Sequence, residues 1–157
     1  MTVSCHTSFC DDIREEISGK ITLVGVYGVE IQFDGELPLA LPKFGFNITA
    51  TFDLEDRDNI ADSRLRVFIP GDPMDQPTID GETGWMPPSG GPPEGSDLYI
   101  DSTPRITCHL HFVLAPFFVP GEGVIRVRLA LNDGRTINGG GIRVRRRSAQ
   151  EAPIATN

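Results

Sequence analysis

The chain has 157 residues, 39% of them hydrophobic and 23% charged, which suits one globular domain able to bury a core without metal or disulfide staples. Its 17 glycines and 13 prolines favour turns and short strands over long helices. A net charge of −8 argues against wrapping nucleic acid, and no apolar run nears the roughly 18 residues of a bilayer span, so neither nucleic acid nor membrane is an expected partner.

In chain order, Met1-Thr2-Val3-Ser4-Cys5-His6 has neither a basic region nor an apolar stretch, and a cytoplasmic product is expected. Cys5, Cys10 and Cys108 make an odd number, which fits a reducing compartment better than a disulfide framework. Residues 11–17 read equally as a short helix or as extended chain. A strand is expected over 20–27, continuing through 29–33 beyond a bend at Gly28. Residues 43–52 alternate most cleanly, with Phe44, Phe46, Ile48, Ala50 and Phe52 on one face. Residues 64–69 repeat the pattern with Leu65, Val67 and Ile69 inward, and 98–100 suit a short strand. In 105–114, Ile106, Cys108, Leu110, Phe112 and Leu114 oppose Thr107, His109, His111 and Val113.

The closing segment carries the strongest signal. Ile125, Val127, Leu129 and Leu131 alternate with Val124, Arg126, Arg128 and Ala130; Asn132-Asp133-Gly134 supplies a turn, and alternation resumes from Gly141 through Arg145. Two antiparallel strands are expected, buried on one face and carrying arginines on the other. The whole reads as an all-β, antiparallel, immunoglobulin-like sandwich of about seven or eight strands. Its single domain spans 1–147 with a Pro/Gly-rich loop at 82–96, and residues 148–157 form a flexible tail.

Phe9-Cys10-Asp11-Asp12-Ile13-Arg14-Glu15-Glu16, followed by Gly19-Lys20-Ile21-Thr22-Leu23-Val24-Gly25-Val26-Tyr27-Gly28, resembles the N-terminal signature of a family of short uncharacterised bacterial proteins. The run from Pro116 through Gly121 to Val127 is similar to that family's closing region and to the last two strands of many immunoglobulin-like domains. The resemblance covers about a third of the chain. It implies a fold, with no activity and no catalytic residues to carry over.

Chemistry has few places to sit. Cys5, His6 and Cys10 lie near the N-terminus, and Cys108, His109 and His111 lie on one expected strand. Thiolates and imidazoles suit Zn²⁺, and His109 and His111 share a face about 6.5–7 Å apart. Cys108 points the other way. Cys10 stands beside Asp11 and Asp12, where negative charge suppresses a thiolate. No serine occupies a nucleophile elbow. The acidic run from Asp53 to Asp62 offers oxygen ligands of the kind that hold Ca²⁺, but lacks the spacing of an EF-hand, and reads first as a solvated loop.

The arginines are the more structured feature. Residues 126–147 hold seven arginines and one acid, a local +6 in a chain of −8, which leaves −14 for the rest. If the last two strands pair, Arg126, Arg128, Arg143 and Arg145 form a two-by-two basic patch. That patch either binds a partner's carboxylates or phosphates, or is a solvated face neutralised by neighbouring strands. The expectation is a non-enzymatic protein-interaction or assembly module, a bacterial or phage accessory protein that needs no cofactor and meets an acidic protein surface. The alternative is a metal-binding protein or metal-dependent enzyme holding Zn or Ca through His109 and His111, with His6 or the acidic loop.

Overall fold

A computed structural model describes residues 3–86 and 105–148. Twelve strands lie within the described residues: β1 (Ser4–Cys10), β2 (Asp12–Glu15), β3 (Ile21–Val24), β4 (Glu30–Phe33), β5 (Leu39–Leu41), β6 (Phe44–Asp53), β7 (Arg64–Phe68), β8 (Ile79–Glu82), β9 (Arg105–Leu114), β10 (Phe117–Val119), β11 (Gly123–Ala130) and β12 (Thr136–Arg146). Between β6 and β7 a 3-10 turn (Leu54–Asp56) leads into a one-turn helix, α1 (Arg57–Ile60).

The strands make an all-β sandwich. One sheet has five strands in the order β4-β12-β11-β7-β8, and the other has three in the order β1-β6-β9. Two ribbons, β2-β3 and β5-β10, complete the pairing. All pairs are antiparallel except β12 with β4, which run parallel.

Period-two alternation places the core. Phe44, Phe46, Ile48, Ala50 and Phe52 of β6 are fully buried, as are Val67 of β7, Ile125, Val127 and Leu129 of β11, and Val144 of β12. Burying each of the larger side chains contributes about 1.5–3 kcal/mol relative to leaving it in water. Phe44 stacks on Phe117 with centroids 5.0 Å apart, and Phe46 stacks on Phe112 at 4.8 Å, so aromatic contact joins β6 to β9 and β10. At the other end, Phe52, Ile60, Leu129 and Leu131 pack with Trp85, whose indole Nε1 donates to the His109 carbonyl at 3.1 Å.

Several expectations need correction. The strand count is twelve within the described residues, against an expected seven or eight. The surplus comprises β1 and four strands of three or four residues, β2, β5, β8 and β10, too short to show a period. Residues 11–17 are extended where they are regular, as β2. The strand expected over 20–27 stops at Val24, because Gly25, at φ +64, turns the chain before Gly28 does. The last strand starts at Thr136, well before Gly141. The strand expected at 98–100, most of the 82–96 loop and the tail from residue 149 lie outside the described residues. Among the described residues no helix is long and apolar enough to cross a membrane.

Candidate functional site

The outer face of the five-stranded sheet is defined by what its strands bury. Inward Ile125, Val127 and Leu129 turn Val124, Arg126 and Arg128 outward on β11. Inward Ile142 and Val144 turn Gly141, Arg143 and Arg145 outward on β12. The four arginines expected to form a basic strand face therefore share one surface. The alternation of β7 adds Arg64 and Arg66 beside them, a pair legible in the sequence as the polar positions of that strand.

The arginines do not form a two-by-two block. Arg143 pairs across from Val124, Arg126 from Gly141 and Arg128 from Asn138. Two features set this register. The turn is closed by the Leu131 amide donating to the Arg135 carbonyl at 2.8 Å, and the pairing shifts between Arg126 and Arg128. There Gly139 and Gly140 lie opposite Val127 alone, which is a bulge in β12. Arg126 and Arg143 become diagonal neighbours, with Cα atoms about 7–8 Å apart.

The four also differ in how they are occupied. Arg145 grips Glu30 of β4 with two bonds, Nε to Oε2 at 2.8 Å and Nη2 to Oε1 at 3.1 Å. Those bonds, with a third from Gln32, hold the Glu30 carboxyl down at about 2 against an ordinary 4.5. At the far edge Arg64 and Arg66 share Asp80 of β8, at 2.7 and 3.4 Å. Arg128 lies over the buried Phe68 ring, its guanidinium carbon 5.5 Å from the centroid. Among the described residues no carboxylate makes an ion pair with Arg126, Arg128 or Arg143. The Arg126 Nε is buried without a hydrogen-bond partner among those residues.

Beside these three arginines the sheet surface is hollowed into a trough of about 530 Å³, with Arg126 and Arg128 on one side and Thr136 and Asn138 on the other. Glycine makes the hollow. Gly140 takes φ +95, which L side chains rarely adopt, and a Cβ on Gly141 would stand 2.7 Å from the Ile125 carbonyl oxygen. The backbone of these two residues therefore lies bare. The Gly140 amide donates to Asn138 Oδ1 at 3.1 Å, which leaves the Asn138 NH₂ as a donor at the rim. The hollow continues for about 350 Å³ past Val124 and Arg143 to Val29 and Glu30. Val29 is 86% exposed and Val124 37%, so this end adds apolar surface beside Arg143 and Glu30.

The metal alternative is placed on the other sheet. His6, Thr49 and His109 form one cross-strand row, and Ser8, Asn47 and His111 the next, so all three histidines share the outer face of the three-stranded sheet. Thr49 stands between His6 and His109 and lies 3.2 Å from His109 Nδ1. His111 Nε2 lies 2.9 Å from Glu15 of β2. Among the described residues no group of three His, Cys, Asp or Glu side chains is placed to hold a metal ion.

The acidic run is not simply solvated either. Asp56 is fully buried and meets Arg135 Nη2 at 2.6 Å, which ties the helical turn to the β11–β12 turn. Asp53 is directed to Arg105 at 3.8 Å. Burial disfavours the thiolates: it pushes Cys5 up to about 11, and Cys10 is raised by burial first and Asp11 second.

Comparison with protein-family models, with curated proteins and with solved structures found no match to this chain.

Proposed function

We propose that the chain is a non-enzymatic protein-interaction or assembly module, and that its working surface is the trough on the five-stranded sheet. The observation that carries this reading is three arginines, Arg126, Arg128 and Arg143, that make no ion pair with a carboxylate among the described residues, although Arg143 faces Glu30 across the ladder, beside the exposed Val29 and Val124. Edge arginines of the same face are neutralised by Glu30 and Asp80, so a purely solvated face would be expected to neutralise the central ones too. Cationic and apolar groups side by side favour recognition of an acidic protein surface. The acidic body of the chain, −8 overall, supports a protein partner over nucleic acid.

A photo-reactive side chain at Val124 tests this. In cells that make the protein, it should cross-link a partner in the unaltered background and lose it in the Arg126→Glu/Arg143→Glu variant. Folding of that variant should be unchanged by circular dichroism. Equal cross-linking of the same partner in both would show that the arginines do not recruit it.

A further inference from the structure

We infer that the occupant of the trough is an extended acidic segment of a partner protein, with carboxylates on alternate residues followed by an apolar one, laid along β11 over the Gly140–Gly141 backbone. This rests on the reading of the same face as an interaction surface and names the chemistry it accepts.

Spacing is the first argument. Arg126 and Arg128 project from the same face two residues apart, so their stems stand about 6.5–7 Å apart along the strand. Alternate side chains of an extended peptide repeat at that same interval, so carboxylates at positions i and i+2 meet the two guanidiniums in register. A helix repeats its i and i+4 side chains at about 6 Å, a closer interval than that of the two arginine stems.

Polarity along the groove is the second argument. Arg126 and Arg128 line one section, Val124 lines both, and the exposed Val29 joins Arg143 in the next, so the surface offered to a ligand gains apolar area in passing. Glu30 at the far end is bound by Arg145 and adds no site for a further carboxylate, whereas Arg143 remains beside Val124.

The floor is the third. With no side chains on Gly140 and Gly141 a peptide backbone can lie close to the sheet, and Asn138 offers its NH₂ to a passing carbonyl. A single-stranded nucleic acid has a similar charge repeat, but it is gripped by aromatic stacking, and the described lining of the two sections includes no aromatic ring.

Fluorescence anisotropy on the intact chain at low salt decides the matter. The probes are a labelled ten-residue peptide with glutamates on alternate positions and valines after them, and a peptide of equal composition with the glutamates contiguous. The alternating peptide should bind at least about tenfold more tightly. Arg126→Gln/Arg128→Gln should weaken it by about tenfold or more, the loss of one or two charge-assisted hydrogen bonds. Arg64→Gln, on the same face but paired with Asp80, should leave binding unchanged. If both peptides bind equally and both depend on Arg126 and Arg128, the extended register is refuted while the interaction surface stands. If neither peptide binds although the Val124 cross-link still requires Arg126 and Arg143, the peptide inference alone falls. If peptide binding ignores the arginines, both readings fall. A ten-nucleotide thymidine strand that competes as well as the alternating peptide also overturns the proposal.

Discussion

Charge on this protein is managed residue by residue, and Glu30 shows how. Its carboxyl accepts two bonds from Arg145 and one from Gln32, and is held at about 2 where 4.5 is ordinary. A carboxyl whose native pKa lies below its unfolded one contributes stability that is fully present above the unfolded value. That stability is lost as pH falls toward the native value. The stability difference between the natural chain and Glu30→Gln, from urea titrations, should therefore be constant above about pH 5 and shrink between about pH 4.5 and 2. A difference that stays level across that window would show that the Glu30 carboxyl is not depressed in the folded chain. The contrast with Arg126 and Arg143 is local: they stand on the same face, but β4 brings one carboxylate within reach and Arg145 takes it.

At the scale of the element, the bulge in β12 does two jobs. It offsets the arginines of β11 from those of β12, and it bares the backbone that floors the trough. Gly141 is the residue that closes it. A Cβ there meets the Ile125 carbonyl at 2.7 Å, a backbone atom that can yield only by opening the ladder. Gly141→Ala should destabilise the fold by about 1–3 kcal/mol in urea denaturation, as overpacking does. Gly121→Ala, where nothing stands within 4 Å, should stay within about 0.5 kcal/mol. Equal effects at both positions would mean that backbone freedom, and not the close approach, is what Gly141 supplies. The long alternating strands β6, β9 and β11, and the short β7 as far as Val67, are legible in the sequence with the correct faces, because burial and pleat impose the same period. β1 is harder to see: Cys5, Thr7 and Phe9 make its inward face, and only Phe9 is strongly apolar. The bulge is invisible too, since three consecutive glycines read as a loop until the partner strand continues past them.

For the molecule as a whole, both apolar clusters lie between the same two sheets, one around Phe44 and Phe46 and one around Phe52 and Trp85. Trp85 is the only tryptophan of the chain and is 8% exposed, so its emission should be blue-shifted when native. Its red shift in urea should coincide with the loss of the circular dichroism signal, as for one cooperative unit. An earlier fluorescence transition would mean that the Trp85 end opens on its own. The sequence by itself determined the all-β class, the inward faces of the long strands and the basic surface on an acidic chain. Each of these depends only on composition or on a period of two, which local residues carry. Tertiary structure alone decided which arginines are neutralised, where the trough lies and that Asp56 is buried against Arg135. Those depend on register and on which distant strands become neighbours, as when β4 and β12 meet in parallel from opposite ends of the chain. No local pattern encodes that pairing, because the partners are more than a hundred residues apart.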